Sequence, residues 1–360
     1  MRISRHRIDL EGARIDNAVS INTGQIAGFR NALINGAMMV AQRGASFTSA
    51  TTPANSDDTY LLDRWILLSD GNDIVDVDQS TDAPTNGLNS IGLVVETIDK
   101  KFGILQIIEQ KNCIGLIGET VTLSFKAKLD GIPGNFDNVK AAIISWDGTA
   151  DAVTSDIISA WGVEGTNPTL VANWTYENTP ANLNAPAAWT SHSVSALIDT
   201  ASAKNIGVFI WSDVTGTTLG DFFRITDVQL EIGSVATPFE RRGIGVETAL
   251  CMRYGFNPLF GSSTANLAIG IINPSSTTIF KGAIHLPVPM RAVPTLSVSS
   301  VSDFRLGYPG SIACSALSLD TGVTQFYIQL TGTTAGHTAT QVYHLYRPGS
   351  TATIFLNAEL

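Results

Sequence analysis

The sequence predicts an all-β protein built from antiparallel sandwiches. Three observations support this fold class: short segments rich in β-branched and aromatic residues, frequent turn residues between them, and few patterns typical of long helices. Among the 360 residues, 32 are Gly and 14 are Pro, and these residues divide the chain into short elements. Hydrophobic residues make up 44% of the chain, which is sufficient for large cores and excludes a disordered protein. We therefore expect an N-terminal anchor segment, a jelly-roll sandwich, a short linking helix and a smaller C-terminal β-sandwich.

The distribution of charge predicts three parts. Residues 1–30 carry five Arg and three acidic residues, whereas residues 31–243 carry 12 basic and 25 acidic residues. Residues 244–360 carry only five basic and four acidic residues. The apolar residues of the first part follow neither a helical nor a strand period, so we interpret residues 1–30 as an anchor that becomes ordered against a partner. The change in charge near residues 242–245 separates a jelly-roll domain, 31–243, from a C-terminal domain, 244–360.

The predicted jelly roll contains a succession of strands. Residues 121–128 alternate apolar and polar side chains, which is typical of a strand with one buried face. Turn clusters, such as residues 130–134 and 147–148, separate the strands. Short strands separated in this way are typical of an antiparallel sandwich, and the length of the region suits a jelly roll. The predicted strands are residues 92–98, 121–128, 141–146, 206–211 and 223–232.

One helix and six further strands are predicted in the C-terminal domain. Residues 245–254 contain good helix formers and, after the first residue, neither Gly nor Pro. No repeat of fixed period is present, which argues against a propeller or a solenoid. The six strands are residues 267–272, 278–284, 295–301, 325–330, 342–346 and 351–355.

Composition and charge exclude several classes of protein. The net charge of −10 argues against a protein that binds duplex nucleic acid, and the sequence has no run of 18 apolar residues that could span a membrane. The first ten residues are charged and lack the apolar stretch of a signal peptide. Cys113, Cys251 and Cys314 are too few and too scattered for a disulfide scaffold, so we expect them to be small buried side chains. A reduced, cytoplasmic site of synthesis fits these features.

Two stretches of the sequence, one at each end of the predicted jelly roll, carry a family resemblance. Together they resemble a module of phage and prophage tail-fibre or spike proteins, which is related to carbohydrate-binding jelly rolls. Two later segments resemble the C-terminal end of the same group. The first stretch comprises residues 31–36, 41–44 and 60–65, the second comprises residues 227–233, 236–242 and 249–254, and the later segments are residues 287–294 and 357–360.

The resemblance implies a fibre or spike on the virion surface whose β-sandwiches bind glycans of the host cell. Such proteins are often trimeric, so the resemblance also favours a homotrimer. From the charge and pattern of residues 1–30 we expect that segment to bind other virion proteins, and we expect synthesis in the host cytoplasm. It implies no catalytic residue. Two alternatives stay open: a purely structural capsid or tail decoration protein, such as a head fibre, without receptor binding, and a capsule depolymerase. We expect neither a nucleic-acid partner nor insertion into a membrane.

The sparse charge of the C-terminal domain also favours a trimer. Nine charged residues in residues 244–360 are far fewer than the usual proportion of about a quarter. The domain also has more large apolar residues than one small sandwich needs to bury, and three-fold packing would cover the excess. The alternative is a monomer whose sparse charge reflects a surface of Ser and Thr residues. These residues are Ile271, Ile272, Phe280, Phe326, Tyr327, Ile328, Tyr343 and Tyr346.

Aromatic residues cluster in one window of the predicted jelly roll. Four of the six Trp residues lie between residues 146 and 189, among Asn, Asp, Glu and Thr side chains. Sugar rings stack on aromatic side chains while polar neighbours bind the hydroxyl groups. The alternative is that these aromatics belong to the sandwich core or to a trimer interface, as we expect for Trp211 in its apolar strand. The candidate glycan-binding residues are Trp174, Tyr176, Trp161 and Trp189.

Residues 70–82 are dense in the oxygen ligands that calcium prefers. The segment departs from the EF-hand pattern, because Val75 stands at the sixth position, which requires Gly, and Thr81 stands at the twelfth, which requires Glu. We therefore favour a solvated acidic loop and assign no metal or other cofactor, with a structural calcium as the alternative. The candidate calcium ligands are Asp70, Asn72, Asp73 and Asp76.

The sequence lacks the patterns of common hydrolases. It has no G-x-S-x-G motif, and its five His residues show no HExxH spacing for zinc. Glycosidases need two carboxyl groups at a defined separation, which the spacing of residues in loops does not establish. Spikes that degrade capsules tend to use long β-helices, and the corresponding repeat is missing. We therefore predict that the protein is not an enzyme. The carboxyl groups considered are those of Asp147, Asp151, Asp156, Glu164 and Glu177.

Overall fold

The computed structural model describes most of the chain from residue 29 onwards. The N-terminal anchor predicted for residues 1–30 therefore lies almost entirely outside the described residues. Two short strands within it, β1 (Ser20–Ile21) and β2 (Gly24–Gln25), are described by their backbone and form a hairpin. The described ranges are 29–130, 138–200, 202–213, 216–259, 265–272, 277–307, 311–319, 327–333, 338, 340, 342–348 and 353–360. Residues 130, 265–272, 327–329 and 333 are described by their backbone alone.

An N-terminal sandwich follows, built from short and long strands and one short helix. In chain order these are β3 (Ser46–Phe47), β4 (Thr59–Tyr60), β5 (Ile66–Ser69), β6 (Val75–Ser80), β7 (Ser90–Val95), β8 (Phe102–Ile108), α1 (Gln110–Cys113), β9 (Thr120–Asp130), β10 (Val139–Trp146), β11 (Ile158–Ala160), β12 (Thr169–Leu170), β13 (Trp174–Tyr176), β14 (Thr190–Leu197), β15 (Asn205–Ser212) and β16 (Phe222–Ile232).

Twelve of these strands form two six-stranded sheets, and β11 and β12 pair only with each other. Sheet 1 has the strand order β13-β10-β15-β8-β5-β4, and sheet 2 has the order β14-β9-β16-β7-β6-β3. Every pairing between their strands is antiparallel. From β5 onwards the chain repeatedly passes from one sheet to the other, which is the connectivity of a jelly roll. The predicted all-β fold class is confirmed.

The main core lies between the two sheets. In β9, Leu123 and Phe125 are buried in this core, whereas Lys126 and Lys128 lie on the outer face of sheet 2, as period-two alternation requires. Sheet 1 differs, because β8, β10 and β15 are buried on both faces. A second apolar cluster therefore covers its outer face, and residues 147–176 supply most of that cover.

The C-terminal part begins with the linking helix. The predicted helix at 245–254 is confirmed as α2 (Ile244–Met252), the longest helix of the described residues, none of which is long and apolar enough to cross a bilayer. The elements that follow are β17 (Gly255–Phe256), β18 (Ala265–Ile272), β19 (Ile279–His285), β20 (Thr295–Val298), a 3₁₀ turn (Val301–Asp303), β21 (Arg305–Gly307), β22 (Ser311–Ala313), β23 (Ala316–Leu319), β24 (Tyr327–Thr333), β25 (Val342–Arg347) and β26 (Ile354–Asn357).

These C-terminal strands form one sheet of order β17-β26-β20 and a seven-stranded sheet of order β22-β21-β25-β18-β19-β24-β23. Phe280 and Tyr343, which we expected at a trimer interface, are buried in the core of this part instead. Tyr346 is half-buried, and its hydroxyl lies 2.6 Å from Ser311 Oγ. The side chains of residues 271, 272 and 326–328, on which the same expectation rested, lie outside the described residues.

Ion pairs join the C-terminal part to the N-terminal sandwich. Arg253 Nη2 donates to Glu109 Oε1 at 2.7 Å, and the hydroxyl of Tyr254 donates to Glu109 Oε2 at 3.0 Å. The buried guanidinium of Arg64 lies 3.8 Å from the centre of the Tyr254 ring and pairs with Glu359. The two parts are therefore connected by buried polar contacts as well as by the chain.

The predicted strands agree with the structure to within a few residues, but many strands were not predicted. They include β5, β6, β8 and β14 of the N-terminal sandwich and three short strands of the C-terminal part. β21, β22 and β23 contain only three or four residues each and few β-branched or aromatic side chains. They are strands because they extend the edges of the sheet next to β25 and β24. Of the predicted strand residues, 325–326 and 351–352 lie outside the described residues.

Candidate functional site

Trp174, the first of the predicted glycan-binding residues, is a core residue. It is 5% exposed, and its ring centre lies 5.4 Å from that of Trp146. Its indole Nε1 donates to the carbonyl of Thr154 at 2.9 Å. Because the ring is buried and its polar edge is hydrogen-bonded inside the protein, Trp174 does not offer a stacking surface to a sugar.

Trp161 and Tyr176 are half-buried in the layer that covers sheet 1. The Trp161 ring lies 5.9 Å from Phe209, which in turn stacks on Trp211 at 4.6 Å. The hydroxyl of Tyr176 donates to the carbonyl of Pro168 at 2.9 Å, and burial raises the pKa of Tyr176 well above its ordinary value. The expectation that Trp211 is a core residue agrees with its full burial. These aromatics hold the cover onto sheet 1.

A buried charged cluster fastens the tip of the same cover. Lys101 Nζ lies 2.8 Å from Asp213 Oδ1 and Lys140 Nζ lies 2.9 Å from Asp213 Oδ2. Lys101 also donates to the carbonyl of Val163 at 2.9 Å, and Lys140 donates to Asn167 Oδ1 at 2.9 Å. Two ammonium groups thus share one carboxylate and bind loop oxygens, which satisfies their remaining donors.

Trp189 occupies a different place, beside the outer face of sheet 2. It immediately precedes β14, is half-buried, and donates from Nε1 to Asp82 Oδ1 at 3.1 Å. Of the four predicted glycan-binding residues, Trp189 therefore stands apart from the other three, which lie over sheet 1. The residues around it form the surface that we call the Asp82 face, which comprises Asp78, Asp82, Gly92, Lys128, Trp189, Phe222 and Arg224.

The Asp82 face is organised by strand register. Lys128 of β9 lies opposite Arg224 of β16, Arg224 lies opposite Gly92 of β7, and Gly92 lies opposite Asp78 of β6. Residues opposite each other on adjacent strands point to the same side of a sheet. Because the apolar residues of these strands point into the core, the row faces outward, where Asp82 and Trp189 approach it from the ends of neighbouring strands.

Asp82 is the centre of the hydrogen-bond network. Its Oδ2 accepts from Lys128 Nζ at 2.8 Å and from Arg224 Nη1 at 2.7 Å, while Oδ1 accepts from Trp189. Burial alone would raise the pKa of Asp82, but the hydrogen bonds from Lys128 and Trp189 and the charges of both cations outweigh it and hold the pKa below its ordinary value. Asp82 is therefore a carboxylate, and it orients two cations and one indole.

Phe222 adds a second aromatic ring to the Asp82 face. The guanidinium carbon of Arg224 lies 3.7 Å from the centre of the Phe222 ring, and Lys128 Nζ lies 5.7 Å from it. Phe222 is half-buried, two residues before Arg224 on β16. Stacking of this kind restricts the guanidinium and keeps its donors in fixed directions.

Gly92 makes room for Asp78 in the middle of the row. A Cβ at Gly92 would collide with Asp78 Oδ1 and would lie 3.7 Å from Arg224 Nε. Both of these atoms are buried and have no hydrogen-bond partner among the described residues. Burial raises the pKa of Asp78, an effect that the charge of Arg224 partly offsets. The absence of a side chain at Gly92 thus leaves space for the carboxylate of Asp78 beside the guanidinium of Arg224.

The four candidate calcium ligands do not converge on one point. Asp70 pairs with Lys100 at 2.9 Å, and Asn72 Oδ1 accepts from the backbone of Asp57 at 3.2 Å. Asp73 and Asp76 are brought together, because both accept hydrogen bonds from the side chain of Asn55. No cluster of three or more His, Cys, Asp or Glu side chains suited to a metal is found within the described residues.

Two of the carboxyl groups considered for hydrolysis have structural partners. Asp151 Oδ1 accepts from Asn205 Nδ2 at 2.7 Å and from the backbone of Gln110 at 2.7 Å. Glu177 pairs with the hydroxyl of Ser145 and accepts from the backbone of Asp199 at 3.3 Å. These bonds fix loops to strands. That the protein is not an enzyme stays a prediction. The three Cys residues are free and buried, as expected.

Sequence reasoning found Trp189 but missed its neighbours. The sequence places Asp82 in an acidic segment and Lys128 and Arg224 in predicted strands, whereas Phe222 lies just before the predicted strand 223–232. The outward positions of Lys128 and Arg224 follow from the alternation in β9 and β16, which was visible in the sequence. Their meeting at Asp82 depends on which strands pair and in which register.

No family model matches the chain, and no curated protein matches it. Among solved structures, part of the chain is similar to a putative sugar-binding protein from Bacteroides thetaiotaomicron, at 16% identity and a TM-score of 0.35, covering 57% of this chain and 100% of that one. It is also similar to the enzymatically active domain of tailspike protein 4 of bacteriophage CBA120, at 16% identity and a TM-score of 0.33. That match covers 56% of this chain but only 21% of the tailspike chain.

A third similar structure is the CBM22-1 xylan-binding domain of Xyn10C from Paenibacillus barcinonensis. The identity is 13%, the TM-score is 0.30, and the match covers 51% of this chain and 94% of that one. At these TM-scores the likenesses establish neither a family nor a function for this chain.

Proposed function

We propose that the chain is a carbohydrate-binding protein of the phage virion surface, a fibre or spike, and that it binds a neutral host glycan on the Asp82 face. The observation that carries the proposal is the arrangement around Asp82. One carboxylate orients an indole and two cations, and two half-buried aromatic rings lie beside it.

The chemistry of the Asp82 face matches that of a sugar. A sugar ring offers apolar C–H groups to aromatic side chains and hydroxyl groups to oriented donors and acceptors. Lys128 uses one of its three N–H donors on Asp82, which leaves two for a ligand. Arg224 is 18% exposed and Lys128 is 21% exposed, so a ligand reaches part of each side chain while their positions stay restricted.

The charge balance of the face favours a neutral glycan over an acidic one. Asp78 and Asp82 oppose Lys128 and Arg224, so the carboxylates and cations are equal in number. Both cations are already paired with Asp82. A uronate or sialate would have to compete with Asp82 for them and would lie close to Asp78, whereas a hydroxyl group accepts and donates without that repulsion.

The virion location rests on the sequence. The resemblance to tail-fibre and spike modules, the basic segment 1–30 and the sparse charge of residues 244–360 all support a protein that is attached at one end and packed against copies of itself. A homotrimer remains part of the proposal, although Phe280 and Tyr343 serve the core of a single chain. Three copies of a weak site would raise avidity by about 10²–10⁴ over one site.

The test is a glycan array probed with the full chain. The array should carry neutral gluco-, galacto-, manno- and xylo-oligosaccharides beside oligogalacturonates and sialylated glycans. We expect binding to neutral glycans, and light scattering of the same sample is expected to give the mass of three chains. Absence of binding to every glycan would favour the structural decoration protein, and release of reducing ends would favour the depolymerase.

Variants locate the site. Trp189→Ala and Arg224→Ala should each weaken binding of the best neutral glycan at least about tenfold, since each removes an oriented contact of the face. The matched control is Trp161→Phe, which alters a half-buried aromatic over sheet 1 and should leave the affinity unchanged. A loss in Trp161→Phe with none in Trp189→Ala would place the site over sheet 1 and contradict the proposal.

A further inference from the structure

We propose that Lys140 and Asn167 become joined by an intramolecular isopeptide bond, with Asp213 as the base that assists its formation. The bond connects strand β10 to the loop that covers sheet 1. These three residues lie over sheet 1, whereas the Asp82 face lies on the outer side of sheet 2. The inference therefore does not depend on glycan binding.

The three side chains meet in the buried charged cluster. Lys140 Nζ lies 2.9 Å from Asn167 Oδ1 and 2.9 Å from Asp213 Oδ2. The side chain of Lys140 is 4% exposed, that of Asp213 is 1% exposed, and Asn167 is half-buried. Lys140 lies on β10, and Asp213 directly follows the neighbouring strand β15. The sheet thus holds an amine and a carboxylate against an amide, with little access for water.

The amide of Asn167 is oriented for attack at its Cγ atom. An ammonium group has donors and no acceptor, so the amide atom that faces Lys140 is the carbonyl oxygen. On the other side, Asn167 Nδ2 donates to the carbonyl of Pro180 at 3.3 Å. Both contacts require the same orientation of the amide. The carbon to be attacked is therefore one bond away from the atom that Lys140 contacts.

The residue after Asn167 removes a competing reaction. The side chain of an Asn is commonly attacked by the backbone nitrogen of the next residue. In this chain the next residue is Pro168, which has no backbone N–H. The Lys140 amine is therefore the nucleophile that the described structure places against the Asn167 amide.

The reaction balances in atoms and charge. Asp213 Oδ2 is within the distance at which a general base takes a proton, and it takes one from the Lys140 ammonium. The neutral amine then attacks Cγ of Asn167. The Nζ–Cγ bond forms and the Cγ–Nδ2 bond breaks. The leaving nitrogen takes the proton held by Asp213 and a second proton from Nζ, so it departs as ammonium. Asp213 is again a carboxylate, and nothing is oxidised or reduced.

The charge of the cluster favours this product. Lys101 Nζ lies 2.8 Å from Asp213 Oδ1 and donates to the backbone carbonyls of Val163 and Thr166. Two ammonium groups and one carboxylate leave an excess positive charge in a buried place, which is unfavourable. Departure of ammonium leaves the Lys101 ammonium paired with the Asp213 carboxylate. The isopeptide bond thus makes the cluster neutral.

The experiment is mass spectrometry of the purified full chain under denaturing conditions. We expect a mass lower than that of the amino-acid sequence by one ammonia, about 17 Da, because the reaction expels the amide nitrogen. Digestion with trypsin and chymotrypsin, which cleaves after Trp146 and Trp161, should give a branched peptide that contains both Lys140 and Asn167. A full sequence mass would overturn the proposal.

Fragmentation of the peptides separates the bond from other losses of ammonia. A succinimide at Asn35 or Asn86, each of which precedes Gly, loses the same mass but joins no second peptide. A loss located at one of these positions, or a branch at Lys101 in place of Lys140, would also contradict the proposal.

Variants assign the nucleophile and the base. Lys140→Arg keeps the charge without an amine, and Asp213→Asn keeps the shape without a proton acceptor, so both should have their full sequence mass. The matched controls are Lys100→Arg and Asp70→Asn, which alter a Lys–Asp pair at the surface and should still lose ammonia. Circular dichroism establishes that each variant is folded. Loss of ammonia that persists in Lys140→Arg would exclude Lys140 as the nucleophile.

Discussion

The two outer faces of the N-terminal sandwich differ in how they meet their surroundings. Sheet 1 presents Phe209, Trp211 and other apolar side chains, and a second layer of the chain covers them completely. Sheet 2 presents charged side chains in a register-matched row, and Asp82 and Trp189 border it without covering it. One sheet is therefore interior on both sides, and the other has a face available to a ligand.

The density of aromatic residues in the 146–189 window therefore does not indicate which outer face of the sandwich is exposed. Most aromatics of the 146–189 window, including Trp174 and Trp146, bury the outer face of sheet 1, since an apolar sheet face must be covered. The open face was marked by a weaker signal, the outward Lys128 and Arg224 on strands whose inward-facing residues are apolar. Charged residues at alternate positions identify the solvent side of a sheet more reliably than tryptophans do.

The largest effect is expected from Asp213→Ala, which breaks the buried cluster that fastens the cover of sheet 1. Asp213 is 1% exposed, and its loss leaves Lys101 and Lys140 buried without a counter-charge. We expect the free energy of unfolding to fall by about 3–5 kcal/mol. Urea unfolding measures this change in the free energy of unfolding. Asp70→Ala, which breaks the exposed pair with Lys100, should change it by about 1 kcal/mol or less. Equal effects of the two variants would show that the cover is not held by this cluster.

A comparison of two tryptophans sharpens the contrast between the faces. Trp174→Ala removes a buried ring from the cover of sheet 1 and should lower the free energy of unfolding by about 3–5 kcal/mol. Trp189→Ala removes a half-buried ring and one hydrogen bond to a carboxylate, so we expect a loss of about 1–2 kcal/mol. Thermal unfolding of both variants in the same buffer is the measurement. A larger loss for Trp189 would mean that the Asp82 face is a structural core.

Asp82→Asn should have a smaller effect that depends on pH. Because the pKa of Asp82 is lowered in the folded state, its contribution to stability is present above about pH 4, the ordinary pKa of Asp, and is lost as the pH falls through the folded value. At pH 7 we expect a loss of about 1 kcal/mol or less, since Asp82 is 33% exposed. Once the pH has fallen through the folded pKa of Asp82, the variant and the wild type should converge. A difference in stability between the variant and the wild type that stays constant with pH would assign the effect to packing. The control is Ser193→Ala, which lies on the same outer face and removes no titratable group.

The smallest effect concerns His192 on the edge strand β14. Burial lowers the pKa of His192, its Nε2 has no partner within the described residues, and its ring lies 5.5 Å from that of Phe125. The folded state therefore resists protonation, so stability should fall as the pH drops below about 6.5, where the unfolded chain binds a proton. His192→Phe should flatten this part of the unfolding profile between pH 7 and 5. An unchanged slope in His192→Phe, or a flattened one in the control His285→Gln, would assign the slope to another group.

Local patterns in the sequence were enough to predict the fold class, several of the long strands and the linking helix. Strands β9, β10, β15 and β16 are visible because their alternation or their apolar runs are local properties of the chain. The helix α2 is visible because it lacks internal breakers apart from Gly245. The full burial of Trp211 was also predictable, since it ends the apolar run of residues 206–211.

The contacts between side chains that are distant in the sequence depend on the tertiary structure. Asp82, Lys128, Trp189 and Arg224 come from four separate parts of the chain, and the register of sheet 2 brings them together. Asn55 joins Asp73 and Asp76 in the same way, although no spacing in the sequence connects them. Trp174 and Trp189 occupy similar polar surroundings in the sequence, yet one is core and the other borders an open face. The physical reason is that burial and contact depend on the packing of segments far apart in the chain, whereas periodicity reports only on near neighbours.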